Sequence, residues 1–231
     1  MKQNNTIAIL GGMGPGSSAY FYQLINQLAI KKFGAKNNHD FPEIILHSIP
    51  VPDFISCDKN KEHALVMLKE RVALLSNMGI SHFSIACNTA HILLDDLQRI
   101  TSVPFTSMIE EVAKQVKGNT IEKIGLLGSP TTLASGIYQR AFEKYAIQTV
   151  IPNKSQLSLF ENVIRNILAG KEGRNDKEQL LQIANSLKKK GAEGIILGCT
   201  ELPLIFPTDY SLPVFNSLEI LAQALLQKYY E

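Results

Sequence analysis

The chain contains no tryptophan, only three cysteines in 231 residues, and a formal net charge of just +2. An odd cysteine count with no Cys-x-x-Cys pair fits a reducing compartment better than a disulfide framework. So small a charge gives no footprint for nucleic acid or for an anionic membrane, and neither is expected as a partner. The longest basic run, Lys188 to Lys190, closes a helical pattern, where cations oppose the negative end of the dipole. No stretch approaches the ~18 consecutive apolar residues of a membrane span. The chain enters a strand pattern at Thr6-Ile-Ala-Ile-Leu10 without a basic region and a cleavable apolar stretch before it, so a cytoplasmic location is expected. There is no Gly-x-Ser-x-Gly elbow and no phosphate-binding P-loop. Cys87 and His91, four apart, are the nearest approach to metal-ligand spacing, and nothing else joins them, so no metal is expected.

Hydrophobic residues make up 45% and charged residues 19%, enough to build a full core. Short apolar runs read as parallel strands buried on both faces: Ile7–Leu10, Glu43–Ser48, His82–Ala86 and Phe105–Met108, then Lys123–Leu127, Thr149–Ile151, Gly194–Leu197 and Val214–Phe215. Helical stripes alternate with them, such as Phe21/Leu24/Ile25/Leu28 and Leu180/Ile183/Ala184/Leu187, and Gly34, Gly79 and Gly191 stand where helices should stop. The expected class is α/β with mainly parallel sheets.

The second half repeats the first. Ile7-Ala-Ile-Leu-Gly11 returns as Ile124-Gly-Leu-Leu-Gly128, an offset of 117 (124 − 7). Gly79 to Thr89 returns as Gly191 to Glu201 at 112 (199 − 87), and Val103-Pro104-Phe105 as Leu212-Pro213-Val214 at 109 (212 − 103). Slowly drifting offsets are what changes of loop length produce in a duplicated domain. Two pseudo-symmetric domains are expected, 1–103 and 104–215, with the site in the cleft between them and the last helix, 216–231, packing back on the first.

Ligands of parallel α/β sheets bind beyond the carboxyl ends of strands, at helix N-termini. Cys87 and Cys199 both fall there, and a helix N-terminus would lower a thiol's pKa. Asn88, Thr89 and Thr200 are candidates to cap those helices or to bind a ligand carboxylate. Cys57, in a polar loop without a counterpart, reads as incidental. A symmetric thiol pair suits inversion of a stereocentre, which needs a base on one face and an acid on the other.

Four motifs in order carry a resemblance: Gly11-Gly-Met-Gly-Pro15, Ala86-Cys-Asn-Thr-Ala-His91, Gly125-Leu-Leu-Gly-Ser129 with Ser135-Gly-Ile-Tyr138, and Leu197-Gly-Cys-Thr-Glu-Leu202. Over nearly its whole length the chain resembles the aspartate/glutamate racemase superfamily, most closely its aspartate racemase branch. The resemblance implies a racemase of an amino acid, with aspartate or glutamate the expected substrate and no pyridoxal phosphate or other cofactor. By motif it makes Cys87 and Cys199 the catalytic bases, and Met13, Gly14, Asn88, Thr89, Thr132, Thr200 and Glu201 substrate-binding. It implies a small-molecule amino-acid partner, and a second copy of the chain stands as a candidate one. Two departures stand out. Where aspartate racemases often show Asp-Arg-Thr, this chain reads Pro52-Asp-Phe-Ile55, and where a lysine often stands it has Leu168. Racemisation of neutral amino acids, and isomerisation or decarboxylation of small dicarboxylic acids, are the alternative readings. A nucleotide-binding loop at Gly14-Pro-Gly-Ser-Ser-Ala19 and a non-catalytic binding module are the remaining rivals.

Overall fold

The computed structural model describes residues 5–231. Among them, strands β1 (Thr6–Gly11), β2 (Ile44–Ser48), β3 (Ile80–Ile85) and β4 (Phe105–Thr106) form one parallel sheet in the order β2-β1-β3-β4. Strands β5 (Lys123–Gly128), β6 (Gln148–Val150), β7 (Gly194–Gly198) and β8 (Val214–Asn216) form a second, in the order β6-β5-β7-β8. The order repeats, and so does the register. Ile7 pairs with His82 as Ile124 pairs with Gly194, Leu10 with Ile85 as Leu127 with Leu197, and Phe83 with Phe105 as Ile195 with Val214. These equivalences are the ones the offsets 117, 112 and 109 lead to.

Helices cover both faces of each sheet, as parallel sheets require. They are α1 (Pro15–Phe33), α2 (Lys61–Ser76), α3 (Leu94–Gln98), α4 (Met108–Lys117), α5 (Pro130–Ser135), α6 (Ile137–Glu143), α7 (Lys154–Leu168), α8 (Arg174–Lys189) and α9 (Ser217–Tyr230). Alternate residues of β1 serve opposite faces. Ile7 and Ile9 join the α1 stripe Phe21, Leu24, Ile25 and Leu28 and the α9 residues Leu218, Leu221 and Leu225. Ala8 and Leu10 join Leu65, Leu68 and Val72 of α2 and Leu97 of α3. In the second sheet Leu127, Ile195 and Leu197 lie under α7 and α8, whose stripe Leu180, Ile183, Ala184 and Leu187 is buried. Ile124, Leu126 and Ile196 lie against Val112 of α4 and Tyr138 and Phe142 of α6. Each leucine, isoleucine, valine or phenylalanine among them contributes roughly 1.5–3 kcal/mol through burial. The last helix, α9, also runs against α4, so it is wedged between the two halves.

Two local expectations need correction. Strand β4 ends at Thr106 rather than Met108, because Ser107 caps α4 with its hydroxyl, accepting from the Glu110 N–H at 3.3 Å. The segments after the two cysteines are not α-helical N-termini: a 3-10 turn over Thr89–Leu93 precedes five-residue α3, and a 3-10 turn over Leu202–Leu204 follows Cys199. Pro203 occupies the first positions of the turn after Cys199, and Pro207 disfavours helical backbone at Phe206, which leaves room for only a single turn there.

Candidate active site

Cys87 and Cys199 stand just beyond the carboxyl ends of β3 and β7, equivalent strands of the two sheets. Both are buried. Burial pushes the Cys87 thiol up to about 12, the nearby Glu201 charge adds to this, and hydrogen bonds from Ala90 and Thr89 pull the other way. Burial likewise holds Cys199 well above the ordinary thiol range, reinforced by Glu201 and by Cys87 itself. The expected lowering by helix N-termini is therefore reversed. Desolvation outweighs two or three N–H donors when no full helix stands behind them. Cys57 is exposed and lies apart from this pair.

Glu201 organises the space between the halves. Its Oε2 accepts from the Cys199 thiol at 2.9 Å and the Thr200 hydroxyl at 3.1 Å. Its Oε1 accepts from the Ser17 hydroxyl at 2.9 Å and the Gly14 N–H at 3.2 Å. The carboxylate thus sits at the N-terminus of α1, where backbone N–H groups and the dipole favour an anion. A nucleotide phosphate would meet this anion there, which removes the support for a nucleotide-binding loop. Ser17, which makes one of these four hydrogen bonds, is a site residue that the sequence reading did not single out; its place in the first turn of α1, after a glycine-rich loop, is the signal available for it.

The other polar candidates are held by partners from distant parts of the chain. Asn88 accepts from the Tyr138 hydroxyl at 2.6 Å and donates to Ser217 Oγ at 3.0 Å, and Ser217 donates to the Leu197 carbonyl at 2.7 Å. Thr89, Ser129 and Thr132 form a triangle of hydroxyls, with Thr89 2.9 Å from Ser129, 3.0 Å from Thr132, and Ser129 2.8 Å from Thr132. His91 is engaged at both nitrogens: Nε2 accepts from the Met108 N–H at 3.0 Å, so Nδ1 carries the proton and donates to the Cys87 carbonyl at 2.8 Å. Among the described residues no cluster of three His, Cys, Asp or Glu is arranged to hold a metal.

A cavity of about 210 Å³ opens beside Cys87. Met13, Gly14, Cys87 and Thr89 line it, whereas Asn88, Thr132, Cys199, Thr200 and Glu201 are not part of its wall. Phe54, Ile55 and Leu168 complete much of the apolar side. Gly14 leaves the space that Leu168 fills: a Cβ on it would lie 2.3 Å from Leu168 Cδ2 and 3.0 Å from Glu201 Oε1.

Two parallel-sheet halves related by an internal repeat, with one buried cysteine after the equivalent strand of each, define a pseudo-symmetric two-thiol α/β protein. A family profile described as Asp/Glu/hydantoin racemase matches residues 10–225, and the chain belongs to that family. The structure is similar to the aspartate racemase of Picrophilus torridus, with a TM-score of 0.85 and 27% identity over 98% of this chain and 94% of that one. It is also similar to an aspartate racemase homologue of Pyrococcus horikoshii OT3, with a TM-score of 0.81 and 31% identity over 98% of this chain and 100% of that one. In sequence it is 24% identical over 227 residues to the broad specificity amino-acid racemase RacX of Bacillus subtilis, covering 96% of this chain and 97% of that protein. No helix among the described residues is long and apolar enough to cross a membrane.

Proposed function

We propose that the chain is a cofactor-independent amino-acid racemase in which Cys87 and Cys199 act on opposite faces of the substrate Cα. The observation that carries this reading is the symmetric burial of the two thiols, each at the end of its own register-matched strand. In one turnover a thiolate on one side takes the α-proton, and the thiol on the other side gives its proton to the opposite face. The next turnover in the reverse direction exchanges the roles, so atoms and charge balance without a co-reactant. In the resting protein, burial favours both protonated forms. Bound substrate brings an ammonium group whose positive charge favours a neighbouring thiolate, and Glu201 supplies an acceptor already hydrogen-bonded to the Cys199 proton. The Thr89 hydroxyl, at the cavity wall and hydrogen-bonded to Cys87, is placed to orient the substrate carboxylate.

The family resemblance points to aspartate or glutamate as the substrate; the apolar side of the cavity points elsewhere, as argued below. The test of the two-thiol mechanism is exchange of the Cα proton in D2O, followed by NMR for the wild type, Cys87→Ala and Cys199→Ala. Each substitution is expected to reduce racemisation by about 10²–10⁴-fold in both directions, the usual contribution of a positioned acid or base. Near wild-type racemisation by Cys199→Ala would make that cysteine structural and end the two-thiol reading.

A further inference from the structure

We infer that the substrate's side chain is uncharged and apolar, of the leucine or methionine class, and that Leu168 and Phe54 select it. This rests on the racemase reading of the same site. The cavity beside Cys87 is walled by Met13 and Pro15 from the first loop, by Val51, Phe54 and Ile55 after β2, and by Leu168 at the end of α7. Its one charged lining residue is Asp53. That carboxylate is already committed: Oδ2 pairs with Arg165 at 2.9 Å, and Oδ1 accepts from the Ile55 N–H at 2.8 Å.

The nearest cation on α7 is committed as well. Arg165 directs Nε to Glu161 at 2.9 Å, one terminal nitrogen to Asp53 at 2.9 Å and the other to Ser56 at 2.6 Å. No lysine or arginine belongs to the cavity wall, and the loop lysines Lys59, Lys61 and Lys154 are absent from it. A dicarboxylic substrate has two anionic groups. The α-carboxylate has the Thr89 hydroxyl beside Cys87, but the second carboxylate would enter apolar surroundings without a counter-ion, which disfavours its binding. An aliphatic or thioether chain in the same space instead removes apolar surface from water, which favours its binding. Both terms act in the same direction, and both act on the bound substrate.

The arrangement is also built into the backbone. The Leu168 side chain reaches the cavity because position 14 carries no Cβ, and the loop bearing Phe54 is clamped on the second half by the Arg165 network and by the Thr131 N–H, which donates to the Ile55 carbonyl at 3.0 Å.

The experiment measures the Cα exchange rate in D2O, as kcat/KM, for L-leucine, L-methionine, L-aspartate and L-glutamate with the wild type and with Leu168→Lys. The expected result is leucine or methionine at least tenfold faster than either acid in the wild type. Leu168→Lys should move the aspartate-to-leucine ratio toward aspartate by tenfold or more. If aspartate or glutamate is fastest in the wild type, the apolar assignment is overturned while the racemase reading stands. An unchanged ratio in Leu168→Lys overturns the role given to Leu168. If none of the four exchanges, binding of each is followed by ligand-observed NMR. Binding of leucine without exchange then counts against the racemase reading alone, and absence of leucine binding overturns the side-chain assignment.

Discussion

The imidazole of His91 is held from both ends and fully enclosed, and that decides its protonation. The Met108 N–H needs the lone pair on Nε2, so a second proton on the ring would face a donor rather than an acceptor. Burial brings the pKa down to about 4, against the Cys87 carbonyl, which favours the protonated ring. The folded protein therefore binds fewer protons at this ring than the unfolded chain between pH 6.5 and 4. Stability from this group is complete above 6.5 and declines as pH falls toward 4, by about 2 kcal/mol between pH 7 and pH 5. Urea unfolding at the two pH values should show this loss, and His91→Gln should reduce it; an equal loss in the variant would assign the acid sensitivity to other groups. The same side chain explains why residue roles were only partly legible in sequence. Cys87 and Cys199 were readable because thiols are scarce and stand at matched positions. The engagement of Asn88, Thr132 and Glu201 was not, because Tyr138, Thr89 and Gly14 lie far along the chain from them.

At the scale of elements, the loop between β1 and α1 does the most to shape the site. Gly12, at φ +90°, would place a Cβ 2.4 Å from the Ile49 nitrogen, so the turn tolerates only glycine. Gly14 serves contact between the halves. Gly14→Ala would force its methyl onto Leu168 and crowd the Glu201 carboxylate. The expected cost is about 1–3 kcal/mol of stability, the range for overpacking, together with a loss of racemisation greater than that loss of folded protein explains. Thermal unfolding and exchange kinetics on the same preparation check this; unchanged values in both would mean that Leu168 moves aside freely. Strands and long helices were legible from their apolar periods, since two-faced burial leaves a continuous apolar run. The turns after the cysteines were not. After Cys199, Pro207 disfavours helical backbone at Phe206 and the turn stops short, and a pattern of strand followed by helix does not show that.

Across the whole molecule, side-chain hydrogen bonds tie the two halves together. Tyr138 of α6 reaches Asn88 after β3, and Asn88 in turn holds Ser217 at the start of α9 and, through it, Leu197 of β7. Tyr138→Phe removes one hydroxyl and leaves a buried amide oxygen without its donor, at an expected ~1–3 kcal/mol. Denaturant titration measures that cost, and an unchanged midpoint would show that water replaces the hydroxyl. The repeat itself, its strands and its pair of strand-end thiols were determined by sequence, because buried parallel strands and rare thiols at fixed spacing leave a pattern along the chain. The raised thiol pKa values, the carboxylate lodged at the N-terminus of α1 and the apolar wall beside Cys87 were decided only in three dimensions. Desolvation and charge pairing depend on which atoms surround a group, and those atoms come from loops and strand ends far apart along the chain, Glu201 and Leu168 meeting the first loop from the other half.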